Sequence, residues 1–194
     1  MKKSLYLAAM LLTTVFASCE KDEIGGTATE SMAGQWYVTV DAVDDNGNPI
    51  TETADGNPNP GEDYFGLGER VHILTYNTAA NIADSMWINS NGNFNLTAYY
   101  GPGIPNYDFT IKVGIDQNSA TFKCEEAAND AGDFPVTIEG GKILRNAGHQ
   151  NNGSPADSIV FYVIYKGDPW YPDDGYAKYK VSGIRYSGLA ENDD

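Results

Sequence analysis

Apolar positions fall into two regimes along this chain. Leu5 to Phe16 is an almost unbroken apolar run, preceded by Lys2 and Lys3. It is short for a bilayer-spanning helix, and its flanks are those of a secretion signal. From Gln35 onward the chain breaks into short segments rich in β-branched and aromatic residues, each closed by Gly, Asn, Asp or Pro. Gln35–Val43 sets Trp36, Val38 and Val40 against Tyr37, Thr39 and Asp41, the period of a strand with one buried face. Arg70–Tyr76, Ser85–Asn89, Asn93–Tyr100, Tyr107–Ile115 and Ala120–Cys124 read as further strands, as do Phe134–Glu139, Lys142–Leu144, Ser158–Lys166 and Tyr176–Tyr186. Asn91-Gly92 and Gly140-Gly141 read as tight hairpin turns. No stretch sustains a period of 3.6, although Asn77 to Trp87 has room for one helical turn.

Strands in meander order without crossover helices cannot form a parallel sheet. They must stack or close on themselves to protect their edges. The pattern therefore predicts an all-β fold, an antiparallel up-and-down barrel of about eight strands, a size that can hold a small ligand. Asp44–Gly68 and Asn146–Asp157 read as long loops, the first at one barrel end and the second mobile. There is no internal repeat, so the organisation is a signal over 1–18, a tether over 19–32 and one barrel domain over 33–194.

Ala17-Ser18 before Cys19 is the pattern of a lipoprotein signal peptidase site, with Cys19 taking the lipid. Several acyl chains on one cysteine give stable anchoring, at about 0.8 kcal/mol per buried CH₂. Glu20-Lys21-Asp22-Glu23 resembles the surface-export signal of Bacteroidota lipoproteins, which implies an outer-membrane anchor with the domain facing outward. Cys124 is then alone, so a structural disulfide is excluded and the thiol reads as a small core group. A net charge of −15 argues against nucleic acid as a partner and against anionic lipid surfaces.

Catalytic chemistry finds little support. His72 and His149 are the two histidines; His72 lies mid-strand and His149 in a loop, and no nucleophile elbow accompanies either. The doublets Asp44-Asp45, Glu125-Glu126 and Asp173-Asp174 sit in turn-like contexts, and adjacent strand residues face opposite ways. Zinc spacing is missing, and Asp41–Asn48 fails the register of a calcium loop. No metal or cofactor is expected.

Gly34-Gln35-Trp36 opens the first strand, and Arg185 stands in the last within Ser182-Gly183-Ile184-Arg185. This resembles the lipocalin and wider calycin arrangement, in which first and last strands meet and a guanidinium covers the indole. Gly34–Thr39, Ser154–Ile159 and Tyr179–Gly188 together resemble the Bacteroidota family of lipid-binding putative hydrolases. Ile184 and Ser187 depart from that pattern, where a basic or histidine-like residue and a threonine stand. The departures bear on hydrolysis more than on fold. The resemblance implies a calycin-like barrel with a lipid-type ligand.

The favoured reading is a barrel that holds a lipid or other apolar molecule, lined by Val38, Val40, Leu74, Trp87, Phe94, Leu96, Phe109, Phe161 and Val163. One alternative is an esterase-like hydrolase acting on a lipid, with His72 or His149 beside a serine or carboxylate. The other is a glycan-binding surface lipoprotein of a polysaccharide-uptake system, presenting Trp170 and Tyr171 from the Pro-stiffened segment Asp168–Asp174.

Overall fold

The computed structural model describes residues 26–50, 70–169, 178–189 and 192. The signal at 1–18, Cys19, Trp170 and Tyr171 lie outside the described residues. Eight strands run in order: β1 (Gly34–Val43), β2 (Val71–Asn77), β3 (Ser85–Asn89), β4 (Thr110–Asp116), β5 (Thr121–Ala127), β6 (Val136–His149), β7 (Pro155–Tyr165) and β8 (Lys178–Arg185). Each pairs antiparallel with the next, and β8 returns to β1, so the sheet is the closed up-and-down barrel that the alternation predicts.

Three expectations are corrected. Asn93–Tyr100 is no strand: residues 91–94 turn, and α1 (Leu96–Tyr100) follows. Asn95 accepts from the Ala98 amide at 3.2 Å, capping a single helical turn. Phe94 and Leu96 are apolar with period two, but they cover a barrel end, where Phe94 meets Phe109 edge-on at 5.5 Å. Gly140-Gly141 is no hairpin turn either. Phe134–Glu139 and Lys142–Leu144 belong to one long strand, with an irregularity between Glu139 and Lys142. That strand extends to His149 and β7 begins at Pro155, so the expected long loop shrinks to residues 150–154.

Closure begins at the start of β1. Trp36 pairs with Arg185 of β8, and the guanidinium carbon lies 4.3 Å from the indole centroid. The indole Nε1–H donates to Thr75 Oγ1 at 2.9 Å, whose hydroxyl donates to the Met32 carbonyl at 2.8 Å. Arg185 also donates to the Ala33 carbonyl at 2.6 Å and sits 3.3 Å from Asp157. The close strand approach requires glycine at 183, where a Cβ would fall 1.7 Å from the Tyr37 carbonyl oxygen.

Residues 28–32, expected as tether, are part of this closure. Thr29 and Met32 are fully buried. The Ala28 amide donates to Asn81, Gln117 donates to the Ala28 carbonyl, and Arg145 donates to the Ser31 carbonyl. The segment thus forms a plug held by the β2–β3 loop, the β4–β5 turn and β6. Its low apolar content hides this, because backbone hydrogen bonds and one methionine hold it.

The opposite end, where β7 stops and β8 starts, closes on tyrosines. Tyr107, Tyr165 and Tyr179 pack with centroids 5.0 to 5.9 Å apart. Tyr107 and Tyr179 each donate to one oxygen of buried Asp168, at 2.8 and 2.9 Å. Tyr165 donates to the Tyr107 carbonyl at 2.7 Å. Burial, reinforced by the charge on Asp108, pushes the Tyr165 phenol well above its ordinary value.

Trp36→Ala removes the indole that fills this closure and the donor to Thr75; it is expected to cost about 3–5 kcal/mol in urea unfolding. Burial tends to raise the Asp157 carboxyl, but the Asn146 amide, Arg145 and Arg185 bring it below 3.8. A lowered folded pKa stabilises above the unfolded value and is lost as pH falls through the folded one. Asp157→Asn should therefore be less stable than wild type at neutral pH, the gap closing as the melt is repeated at pH values below 3.8.

Candidate ligand-binding cleft

The nine residues expected to line a chamber fall into two groups. Val38, Phe94, Phe109, Phe161 and Val163 are fully buried, with Val40 and Leu96 nearly so, and all seven belong to one packed core. A chamber would leave its lining accessible to water-sized spheres; these side chains instead touch one another. Leu74 and Trp87 are half-buried on the outer face. Strand parity decides this, since Ile73, Thr75, Met86 and Ile88 take the inward positions. The inward set of β2 and β3 is thus one residue out of phase with the expected lining.

The wall opens instead across β4, β5 and β6. Strands β4 and β5 keep three pairs, from Gly114↔Lys123 to Asp116↔Thr121. The β5–β6 register slips twice, between Phe122 and Cys124 and between Cys124 and Ala127. Positive φ at Glu126 (41°) and Gly140 (60°) accommodates these bulges. Ile115 and Cys124 lie in line with buried Val113 and Phe122, yet both stay half-buried.

Here a cleft of about 1040 Å³ forms, with Ile115, Phe122, Cys124 and Ile138 as its apolar floor. Glycine at 141 widens it, since a Cβ there would strike the Phe122 ring at 2.4 Å. Phe122 in turn meets Phe161 of the core edge-on at 5.6 Å, so the floor is continuous with the barrel interior.

The rim is charged. Asp84, Asp116, Lys123, Glu125, Glu126, Glu139 and Lys142 surround the opening. Glu126 pairs with Lys166; both are exposed and the pair adds little stability. Glu139 lies 3.8 Å from the half-buried Lys178. The Ser119 hydroxyl and the Asn118 amide hold the Asp116 carboxyl below its ordinary range. Burial raises the Cys124 thiol. An apolar trough beneath a polar rim suits an amphiphile, its chain desolvated and its head in water.

A second cleft of about 920 Å³ lies at the tyrosine end, between α1 with its following loop, Asp133-Phe134 and Gly167 to Pro169. Pro102, Ile104, Pro105 and Phe134 are its apolar members. Pro169 is the last described residue before Trp170.

His72 faces outward between Tyr37 and Tyr186, ring centroids 3.9 and 4.9 Å away, and among the described residues its buried Nε2 has no hydrogen-bond partner. His149 is exposed at the end of β6. Among the described residues neither ring bonds to a serine, so the geometry an esterase needs is not formed by either. Groups of three or more candidate metal ligands are likewise missing among the described residues. The composition concealed the cleft because its determinants are register slips, which only strand pairing reveals.

A family model described as lipid-binding putative hydrolase matches residues 21–190. A search of curated proteins gives no match.

With its thiol raised, Cys124 is expected to react with iodoacetamide more slowly than glutathione near neutral pH. The gap should narrow as pH rises past 9.0, measured by intact mass.

Proposed function

The chain belongs to the family of lipid-binding putative hydrolases, and on that premise we propose that it is an outer-membrane lipoprotein, anchored through Cys19, that holds the acyl chain of a lipid or similar apolar molecule in the β4–β6 cleft. The observation that carries this reading is the cleft itself: an opening of about 1040 Å³ whose floor is apolar, in a barrel whose interior is otherwise packed. Each CH₂ moved from water to that floor contributes about 0.8 kcal/mol. A chain of eight to ten carbons is therefore enough for useful affinity after the cost of immobilising it. Deeper entry would follow Phe122 toward Phe161 and Val163, so those expected lining residues become the wall behind the site.

The chemistry proposed is retention and desolvation of an apolar chain. The tether of the anchor is shorter than the composition implies, because residues 28–32 are folded onto the barrel. Mass spectrometry of the native protein is expected to show a copurifying small molecule that organic solvent removes. Decyl maltoside, an uncharged probe, should bind the stripped protein and shield Cys124 from iodoacetamide. Ile115→Trp places an indole on the apolar floor and should weaken that binding about tenfold or more. Unchanged affinity in Ile115→Trp, with its fold intact by melting, would move the site elsewhere.

A further inference from the structure

We infer that the Trp36 end of the barrel rests on the lipid surface that carries the anchor, with Ile82 and Leu189 set into its interfacial layer. This rests on the reading that Cys19 is lipidated. Two independent features place the same end against the membrane.

The first is the route of the chain. Residues 28–33 are tied to the Trp36 end by Asn81, Gln117, Arg145 and Arg185. Six residues lie between Cys19 and Gly26, and even fully extended that stretch reaches no more than about 25 Å. The barrel therefore hangs close to its anchor, and the end that receives the leader is the near one.

The second is where apolar surface is left uncovered. Among the described residues, the exposed large hydrophobic side chains are Tyr76, Ile82, Leu144 and Leu189, with Ile82 at 41% and Leu189 at 53%. Tyr76 is next to last in β2, Ile82 is in the β2–β3 loop, Leu144 lies in the second half of β6, and Leu189 follows β8. Antiparallel order puts all four on the half of the barrel that holds Trp36. Scattered apolar residues need no explanation, but an uneven distribution that coincides with the leader's exit does. With a net charge of −15, the matching surface is neutral or zwitterionic rather than anionic.

The orientation also bears on ligand entry. Asp84, Asp116 and Thr121 of the cleft rim lie at the Trp36 end. A lipid leaving the bilayer would thus meet the β4–β6 opening, while the tyrosine-closed end points away.

The test uses the full lipidated chain in phosphatidylcholine vesicles containing a lipid with a nitroxide on its head group. In a Cys124→Ser background, a fluorophore is attached at Asn118→Cys in the β4–β5 turn or at Asp130→Cys in the β5–β6 loop. Quenching is expected to be several-fold stronger at position 118. Ile82→Ser with Leu189→Ser, checked for folding by melting, should bring position 118 down toward position 130. Mass analysis of the N-terminal peptide separates the two readings. Lack of an acyl mass on Cys19 overturns both; an acylated protein with equal quenching, or stronger quenching at 130, overturns the orientation alone. No effect of the double substitution overturns the apolar contact.

Discussion

The β1–β8 seam is the constraint from which the remaining structure follows. Eight residue pairs, from Trp36↔Arg185 to Val43↔Lys178, join the first strand to the last. Without them the meander would leave two exposed edges, each a template for further pairing. The seam forms only because Gly183 lets the β8 backbone approach Tyr37 and Val38 without a Cβ between them. It is then locked by a chain of contacts that starts at the indole of Trp36 and passes through Thr75 and Met32 to the incoming leader.

Closure has a consequence for the interior. The barrel is narrow enough for its own side chains to fill it, as expected for about eight strands. Trp36 and Met32 seal one end; Tyr107, Tyr165, Tyr179 and Asp168 seal the other. Apolar residues that look from their alternation like a ligand lining are occupied with one another. Space for a ligand is regained where pairing is imperfect, in the bulged β5–β6 ladder and the short β4–β5 one. On the proposed reading, stability and binding are thus divided between regular and irregular parts of the same sheet.

On the proposed reading, that division connects the N-terminal segment to the site. A lateral opening is useful to a protein held close to the source of its ligand. The plug of residues 28–33 is tied to four elements of the barrel, so the anchor proposed at Cys19 would reach the barrel at one defined end.

Alternation along Gln35–Val43, short β-rich segments closed by Gly, Asn, Asp or Pro, and the lack of helical periodicity were enough to determine an all-β meander and its closure. The Trp36–Arg185 pair was legible as well, since a first and a last strand must meet in a closed sheet. Parity was legible in β1, where Trp36, Val38 and Val40 alternate with polar or amphipathic residues, but not in β7, where every position from Ile159 to Tyr165 is apolar or aromatic, nor in β2 and β3. There His72-Ile73-Leu74 and Met86-Trp87-Ile88 are apolar or aromatic on both faces, and only pairing with β1 and β4 decides which residues turn inward. Met32 and the plug escaped notice because a buried segment held by backbone hydrogen bonds carries no hydrophobic pattern. The cleft was beyond sequence for a related reason. Gly140-Gly141 suits a turn and a bulge equally, and the choice between them depends on the strands on either side.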